Sequence, residues 1–250
     1  MSLPRPLASV TVFLTAALAL TLPHSAGAQR QTGIESGYFS VGIQGYDLDA
    51  LNGALGQAGL PEIDRSAFRT SVGAVRRLPG RLRTTTSVWW DRFETGGEIV
   101  ITAGTGPTLV SSTRLGAIGL TSGLDADLLY PSAWNLYVGL GVDLGGGRLV
   151  TRRLLGRGGN PGSTTFDADV RENKFTVASI GLTPRLTLES IEFGTKSGVG
   201  MRVFLRGGYR FGIASEIERE GFLSQEIAPE FGNSGVALQL GFATRLLDKE

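Results

Sequence analysis

The chain has 250 residues with 24 basic and 23 acidic side chains, and this near-neutral balance gives no reason to expect nucleic acid as a partner. It has no cysteine, which excludes a disulfide framework, and its single histidine is His24. Zinc, haem and iron–sulfur sites of ordinary kinds need these two residue types, so no cofactor is predicted.

The first residues predict an exported protein. Arg5 precedes an apolar stretch over residues 7–22, and Ala26-Gly27-Ala28 has the small-x-small pattern of a cleavage site. Residues 1–28 are therefore predicted to form a secretory signal peptide, followed by a short periplasmic segment over 29–36. His24 is lost with the signal, so histidine-dependent catalysis is excluded in the mature chain, which also has no net charge.

Eight segments then alternate apolar residues with polar residues or glycine, at the period of two that a half-apolar β-strand requires. Each is long enough to cross a bilayer as a tilted strand of about 9 to 11 residues. No apolar run after the signal reaches the roughly 18 residues that a membrane-spanning helix needs. The segments are 37–46, 68–77, 82–93, 110–124, 134–145, 175–189, 198–213 and 234–246.

The connections between these segments alternate in length, being short after the second, fourth and sixth. This alternation and the even number of segments are typical of an up-and-down barrel whose long connections share one rim. The sequence therefore predicts an all-β fold, a closed antiparallel transmembrane barrel of eight strands over residues 37–246, with 247–250 as a tail. Ten strands are the alternative if residues 98–103 form an extra strand that finds a partner.

The first long connection contains a helical pattern. Leu48, Leu51, Leu55 and Ala58 share one face at helical spacing, and the glycine and proline at 59 and 61 can end a helix. A short helix folded over the barrel mouth is predicted, either as a lid or surface rest or as a stabiliser of the loop.

Glycine and charge share one face of several strands. A barrel of about eight strands is only wide enough inside for side chains, so large inward residues must alternate with glycines. We expect a buried ion-paired network in the lumen, with Asp91 as a further acidic member. The adjacent Trp89 and Trp90 must point to opposite faces, which leaves the register of strands two to four open. The expected lumen residues are Asp143, Arg185, Glu189, Arg202, Arg206, Arg210 and Arg245.

Charged residues outside this network are candidates for surface sites. Arg152, Arg153 and Arg157 in the connection after the fifth strand could contact lipopolysaccharide phosphates, or be an ordinary charged loop. The pair Asp125 and Asp127 lies where a short turn is expected, and solvated turn acids are the favoured interpretation over a calcium site.

With these features the chain resembles the small outer-membrane β-barrels of bacteria with two membranes. The resemblance rests on repeated pieces such as 138–143 and 206–212 and on the leucine-rich helix, and it covers residues 37–246. It implies a location in the outer membrane, contact with its lipid and lipopolysaccharide, and insertion by the barrel-insertion machinery. Such barrels commonly finish on an aromatic residue, whereas this chain continues beyond Phe242 to Glu250.

The resemblance implies a monomeric, non-enzymatic protein that is structural or contacts the surroundings through its long loops. Three alternatives remain from the residues themselves. They are a narrow pore for anions or small solutes, a histidine-free lipid-modifying enzyme, and a soluble periplasmic barrel that binds an apolar ligand.

Overall fold

Nine strands and one helix make up the described part of the chain, which in the computed structural model is residues 35–95, 99–102, 108–129, 134–157, 167–193, 199–219 and 231–246. The predicted signal peptide over 1–28 and the tail over 247–250 lie outside these ranges. The strands are β1 (Ser36–Gly45), β2 (Ile63–Arg77), β3 (Leu82–Thr95), β4 (Ile99–Thr102), β5 (Thr108–Asp127), β6 (Trp134–Arg157), β7 (Asp167–Ser190), β8 (Val199–Arg219) and β9 (Gly235–Leu246), and the helix is α1 (Asp49–Gln57).

Eight of the strands close into an antiparallel ring. Each pairs with its neighbour in the order β3, β2, β1, β9, β8, β7, β6, β5, and the pairing of β3 with β5 completes the circle. The predicted eight-stranded antiparallel barrel is confirmed. Residues 99–102 do form the extra strand β4, but it pairs only with the start of β5 in the described residues, so the ring stays at eight.

The hairpin of β6 and β7 is longer than the sequence predicts. Both strands have 24 residues and stay in register from Trp134 opposite Ser190 to Arg157 opposite Asp167. The predicted segment ended at Gly145 because three consecutive glycines and a charged run break the alternation there. Ladder hydrogen bonds nevertheless continue, since a glycine donates and accepts in a sheet like any other residue.

The outer surface of the ring carries a band of exposed apolar side chains. On β6 the outward residues from Trp134 to Leu144 are all apolar, and the same holds on β9 from Val236 to Phe242. Their inward neighbours are glycine, alanine, polar or charged. No helix in the described ranges is long and apolar enough to cross a membrane.

Inward glycines make room for the largest side chain of the lumen. Trp89 is only 1% exposed, whereas its neighbour Trp90 is 42% exposed on the outer surface, so the two adjacent tryptophans do face opposite sides. The Trp89 ring lies against Gly119 of β5 and Gly145 of β6, where a Cβ at Gly145 would stand 3.0 Å from the ring. Large inward residues and glycines are thus matched across neighbouring strands, as a small barrel requires.

Helix α1 closes the end of the ring that carries the long connections. Leu48, Leu51 and Leu55 are buried, and they pack with inward residues of five strands: Phe93, Leu115, Leu149, Val177 and Ile217. The Asn52 side chain exchanges two 2.9 Å hydrogen bonds with the backbone of Ile63, which ties the helix to the start of β2. The predicted helix in the first long connection is confirmed, and it ends before Gly59, which has a φ of 65°.

Candidate functional site

The lumen below α1 is filled by charged side chains. Six arginines and four acidic residues of the described chain are buried on the inner face of the ring. The arginines are Arg69, Arg83, Arg185, Arg202, Arg206 and Arg210, and the acids are Asp91, Asp125, Asp143 and Glu189. Charges this deep are stable only when paired and hydrogen-bonded, so their contacts decide what the lumen can do.

Glu189 of β7 is the centre of the contacts near the short-turn end. One carboxylate oxygen accepts a 2.6 Å hydrogen bond from Arg83 Nη1, and the other accepts a 2.6 Å hydrogen bond from Arg202 Nη1. Arg83 also stacks on the Tyr137 ring at 3.3 Å, and Arg202 lies 3.3 Å from Glu35. One carboxylate therefore joins β3, β7 and β8 across the lumen.

Asp125 of β5 extends this network toward the middle of the barrel. It accepts a 2.9 Å hydrogen bond from Arg185 Nε and a 3.4 Å hydrogen bond from Arg83 Nε. Arg185 also donates to the Thr85 hydroxyl. The prediction that Asp125 is a solvated turn acid is wrong, because β5 runs through it to Asp127 and turns its side chain inward.

A second group of contacts lies beneath α1. Arg69 of β2 forms a two-pronged pair with Asp91 of β3, with both N–O distances at 2.7 Å. The Tyr46 hydroxyl donates to the same carboxylate. The Arg69 guanidinium also covers the Trp89 ring at 4.1 Å. This group fixes β1, β2 and β3 to one another.

Two arginines have no acidic partner among the described residues. Arg206 donates to the Thr187 hydroxyl at 3.2 Å and lies 5.3 Å from the Tyr38 ring, and Arg210 donates to the Ser179 hydroxyl at 3.2 Å. Asp143, expected to pair with an arginine, accepts hydrogen bonds from the Thr121 and Thr183 hydroxyls instead.

Little open space remains between these side chains. A cavity of about 30 Å³ lies at mid-height, bordered by Arg69, Asp143, Arg185 and Arg206 together with Gln44 and Gln239. This volume holds one or a few water molecules.

The structure brings six of the seven predicted lumen residues into the ring. Asp143, Arg185, Glu189, Arg202, Arg206 and Arg210 are buried there, whereas Arg245 is exposed at the end of β9. Any function of these residues stays a prediction. Sequence reasoning missed Arg69, Arg83 and Asp125, although all three follow the inward parity of Trp89 once the strand pairing is known.

The predicted phosphate contacts do not lie in a loop. Arg152 and Arg153 are exposed residues of β6, on opposite faces of the strand. Arg153 donates to the Ala58 carbonyl just after α1, and Arg157 ends β6, with its side chain outside the described part. No cluster of three or more acidic, histidine or cysteine residues suited to a metal ion occurs within the described ranges.

Comparison with known proteins gives similarity in fold only. No family model matches the chain, and no curated protein sequence matches it. The chain is similar to Neisserial surface protein A, with 11% identity, coverage of 85% of this chain and 96% of that one, and a TM-score of 0.37. It is also similar to Ail, the attachment invasion locus protein of Yersinia pestis, with 10% identity, coverage of 86% and 100%, and a TM-score of 0.32.

A third similar structure is a major outer membrane protein of Thermus thermophilus, with 12% identity, coverage of 84% and 99%, and a TM-score of 0.38. The eight-stranded antiparallel ring agrees with the predicted resemblance to small outer-membrane β-barrels, and the low TM-scores add no argument to it. The identities are too low to carry over any activity or partner.

Proposed function

We propose that this protein is an integral barrel of the bacterial outer membrane with a closed lumen. Its outward apolar band carries the proposal. On β6 this band covers the 11 residues from Trp134 to Leu144, which matches the about 9 to 11 residues with which a tilted strand crosses a bilayer. A soluble barrel would place its apolar residues inside and its charged residues outside, whereas this ring turns its apolar band outward and buries six arginines and four acids inside.

The filled lumen favours a structural or surface-contacting role over transport. Ions would have to pass the Glu189 contacts, the small central cavity and the apolar cluster around α1. The excess of arginine over acid in the lumen is the feature that would favour an anion pore, but a selective pore also needs a continuous water path.

A role without catalysis is also supported by how the buried acids are used. Asp91, Asp125 and Glu189 are each held by arginine, and Asp143 is held by two hydroxyls. A carboxylate that serves as a general base must reach a substrate proton, and these are committed to partners inside a closed ring.

Fractionation tests the membrane assignment. We expect the protein to remain in the outer-membrane pellet after osmotic shock and to need detergent for extraction. The unheated protein should also migrate differently from the boiled protein on a detergent gel, since a folded barrel resists the detergent. Release in the osmotic-shock fluid without detergent would refute the membrane assignment and favour the soluble periplasmic barrel.

Planar-bilayer recording separates the closed barrel from the pore. We expect no stepwise conductance from purified, folded protein. Reproducible conductance that is lost in Arg206→Ala would refute the closed lumen. Changed lipid A or phospholipid profiles on overexpression would instead favour the lipid-modifying enzyme.

A further inference from the structure

The cavity at mid-height of the lumen faces more positive than negative groups. Arg69, Arg185 and Arg206 border it, and Asp143 is the acid among its lining residues in the described chain. Both carboxylate oxygens of Asp143 already accept hydrogen bonds from threonine hydroxyls. The acids that pair with Arg69 and Arg185 lie outside the lining, so three guanidinium groups and one carboxylate surround the cavity.

Arg206 is the arginine of this lining that has no acidic partner in the described chain. Its Nε donates to Thr187 at 3.2 Å and its Nη1 donates to Tyr38 at 3.5 Å, so Nη2 has no hydrogen bond to the described residues. The side chain is buried inside the ring. A guanidinium group at this depth is costly to leave unpaired, and the cavity is the space beside it that a partner could occupy.

A second arginine without an acidic partner lies farther along the same strand. Arg210 is 1% exposed and donates from Nη2 to Ser179, whereas its Nε and Nη1 have no hydrogen-bond partner among the described residues. Gly208, which lies between Arg206 and Arg210 on the inward face of β8, borders the cavity. Asp143 is the nearby acid that forms no ion pair with an arginine of the described chain. This part of the lumen therefore carries one positive charge in excess.

The neutral groups around the cavity fit an anion together with one water molecule. The indole nitrogen of Trp89 is a donor without a partner in the described chain, and Gln239 adds a side-chain amide to the lining. Gln44 Oε1 is an acceptor that also lacks a partner there, and a water molecule would satisfy it. The volume of about 30 Å³ has room for about two occupants of the size of water. An organic anion is too large for this space.

From this arrangement we infer that the cavity binds one monovalent anion of halide size beside Arg206. One such ion cancels the excess charge, and it accepts hydrogen bonds without bringing a donor of its own. Chloride and bromide match the cavity in charge and size. The inference goes beyond the proposed function, because it assigns the closed lumen a resident ion that stabilises the ring. It concerns the interior alone and does not rest on the membrane location.

Fluorescence of Trp89 tests the site directly, because this side chain borders the cavity. The chain has three tryptophans, so W90F/W134F leaves Trp89 as the only one, and this double variant is the parent of the test. The protein is folded in detergent micelles at constant ionic strength, with bromide replacing gluconate in steps. Bromide in contact with an indole ring quenches its fluorescence. R206M removes the proposed ligand, and R245M removes an exposed arginine at the end of β9 as the matched control.

We expect bromide to quench Trp89 with saturation and chloride to restore the fluorescence by competition. R206M should raise the bromide concentration at half-saturation by about tenfold or more, because it removes a charge-assisted hydrogen bond. R245M should leave that concentration unchanged. In urea, the ratio of folded to unfolded parent should rise about tenfold when chloride goes from far below its dissociation constant to ten times that value. Q239L should weaken bromide binding in the same direction if R206M does not fold.

Quenching that stays linear in bromide, or that chloride does not reverse, would overturn the inference and show that water alone fills the cavity. An equal response of R206M and R245M would overturn the assignment to Arg206. Displacement of bromide by sulfate at the same ionic strength would overturn the halide size. Fractionation and bilayer recording test the closed membrane barrel separately, because neither measurement depends on bound bromide.

Discussion

Replacing Glu189 by glutamine tests whether the lumen network stabilises the barrel. Glu189 is 3% exposed and receives two 2.6 Å hydrogen bonds from different arginines. Breaking a buried ion pair by removing one partner costs about 3 to 5 kcal/mol. Glutamine keeps one oxygen, and Arg83 and Arg202 keep weaker contacts to Asp125 and Glu35. We therefore expect Glu189→Gln to lower the free energy of unfolding by about 3 kcal/mol.

Urea unfolding of the protein in lipid vesicles measures this loss. The three tryptophans of the chain lie in β3 and β6, so their fluorescence reports on the ring itself. Glu172→Gln is the matched control, because that carboxylate forms its 3.0 Å salt bridge to Lys174 on the outer surface and should cost less than about 1 kcal/mol. The reasoning fails if Glu189→Gln costs under about 1 kcal/mol, or no more than the control.

Three substitutions test the packing of the ring. Gly119→Val should prevent folding, because a Cβ at Gly119 would overlap the inward tryptophan ring of β3. Gly116→Val should fold, because a Cβ at Gly116 meets open space. The heat-shifted band on a detergent gel reports whether each variant folds. Leu140→Arg at the centre of the apolar band should lower the free energy of unfolding measured in urea by about 2 to 4 kcal/mol. A loss under about 0.5 kcal/mol would indicate that water, and not lipid, surrounds the band. Leu51→Ala should speed proteolysis within α1, because it removes a buried side chain that packs the helix against the strands. Gln57→Ala, at an exposed position of the same helix, is the control, and equally fast cleavage of both variants would contradict the packing of α1.

The sequence predicts the ring and seven of the ten charged residues buried inside it. Alternation is unambiguous on β7 and β8, where outward leucines and valines mark the inward arginines by elimination. On β3 the outward residues include Thr84 and Thr86, so both faces are polar and the inward Arg83 cannot be recognised. Asp125 was missed for a related reason, since nothing in its neighbours shows that β5 continues to Asp127.

The pairing of charges across the lumen cannot be predicted from the sequence at all. Arg83 and Glu189 are 106 residues apart and lie on strands that are not neighbours in the ring. Which inward residues meet depends on the stagger of the closed sheet and on the length of each side chain. The sequence supplies the charges, and only closure of the ring selects their partners.

The inward face also changes character along single strands, which explains how the lumen is closed. On β6 the inward residues across the apolar band include Tyr137, Asp143 and glycines, and Leu149 follows beyond the band toward the long-connection end. On β7 they change from Glu189 and Arg185 to Val177. On the short-turn side of this change, long polar side chains of the strands occupy the lumen. On the long-connection side, the leucines of α1 occupy it. A strand that alternates apolar outward and polar inward therefore reverses this pattern where the apolar band ends outside and the helix begins inside.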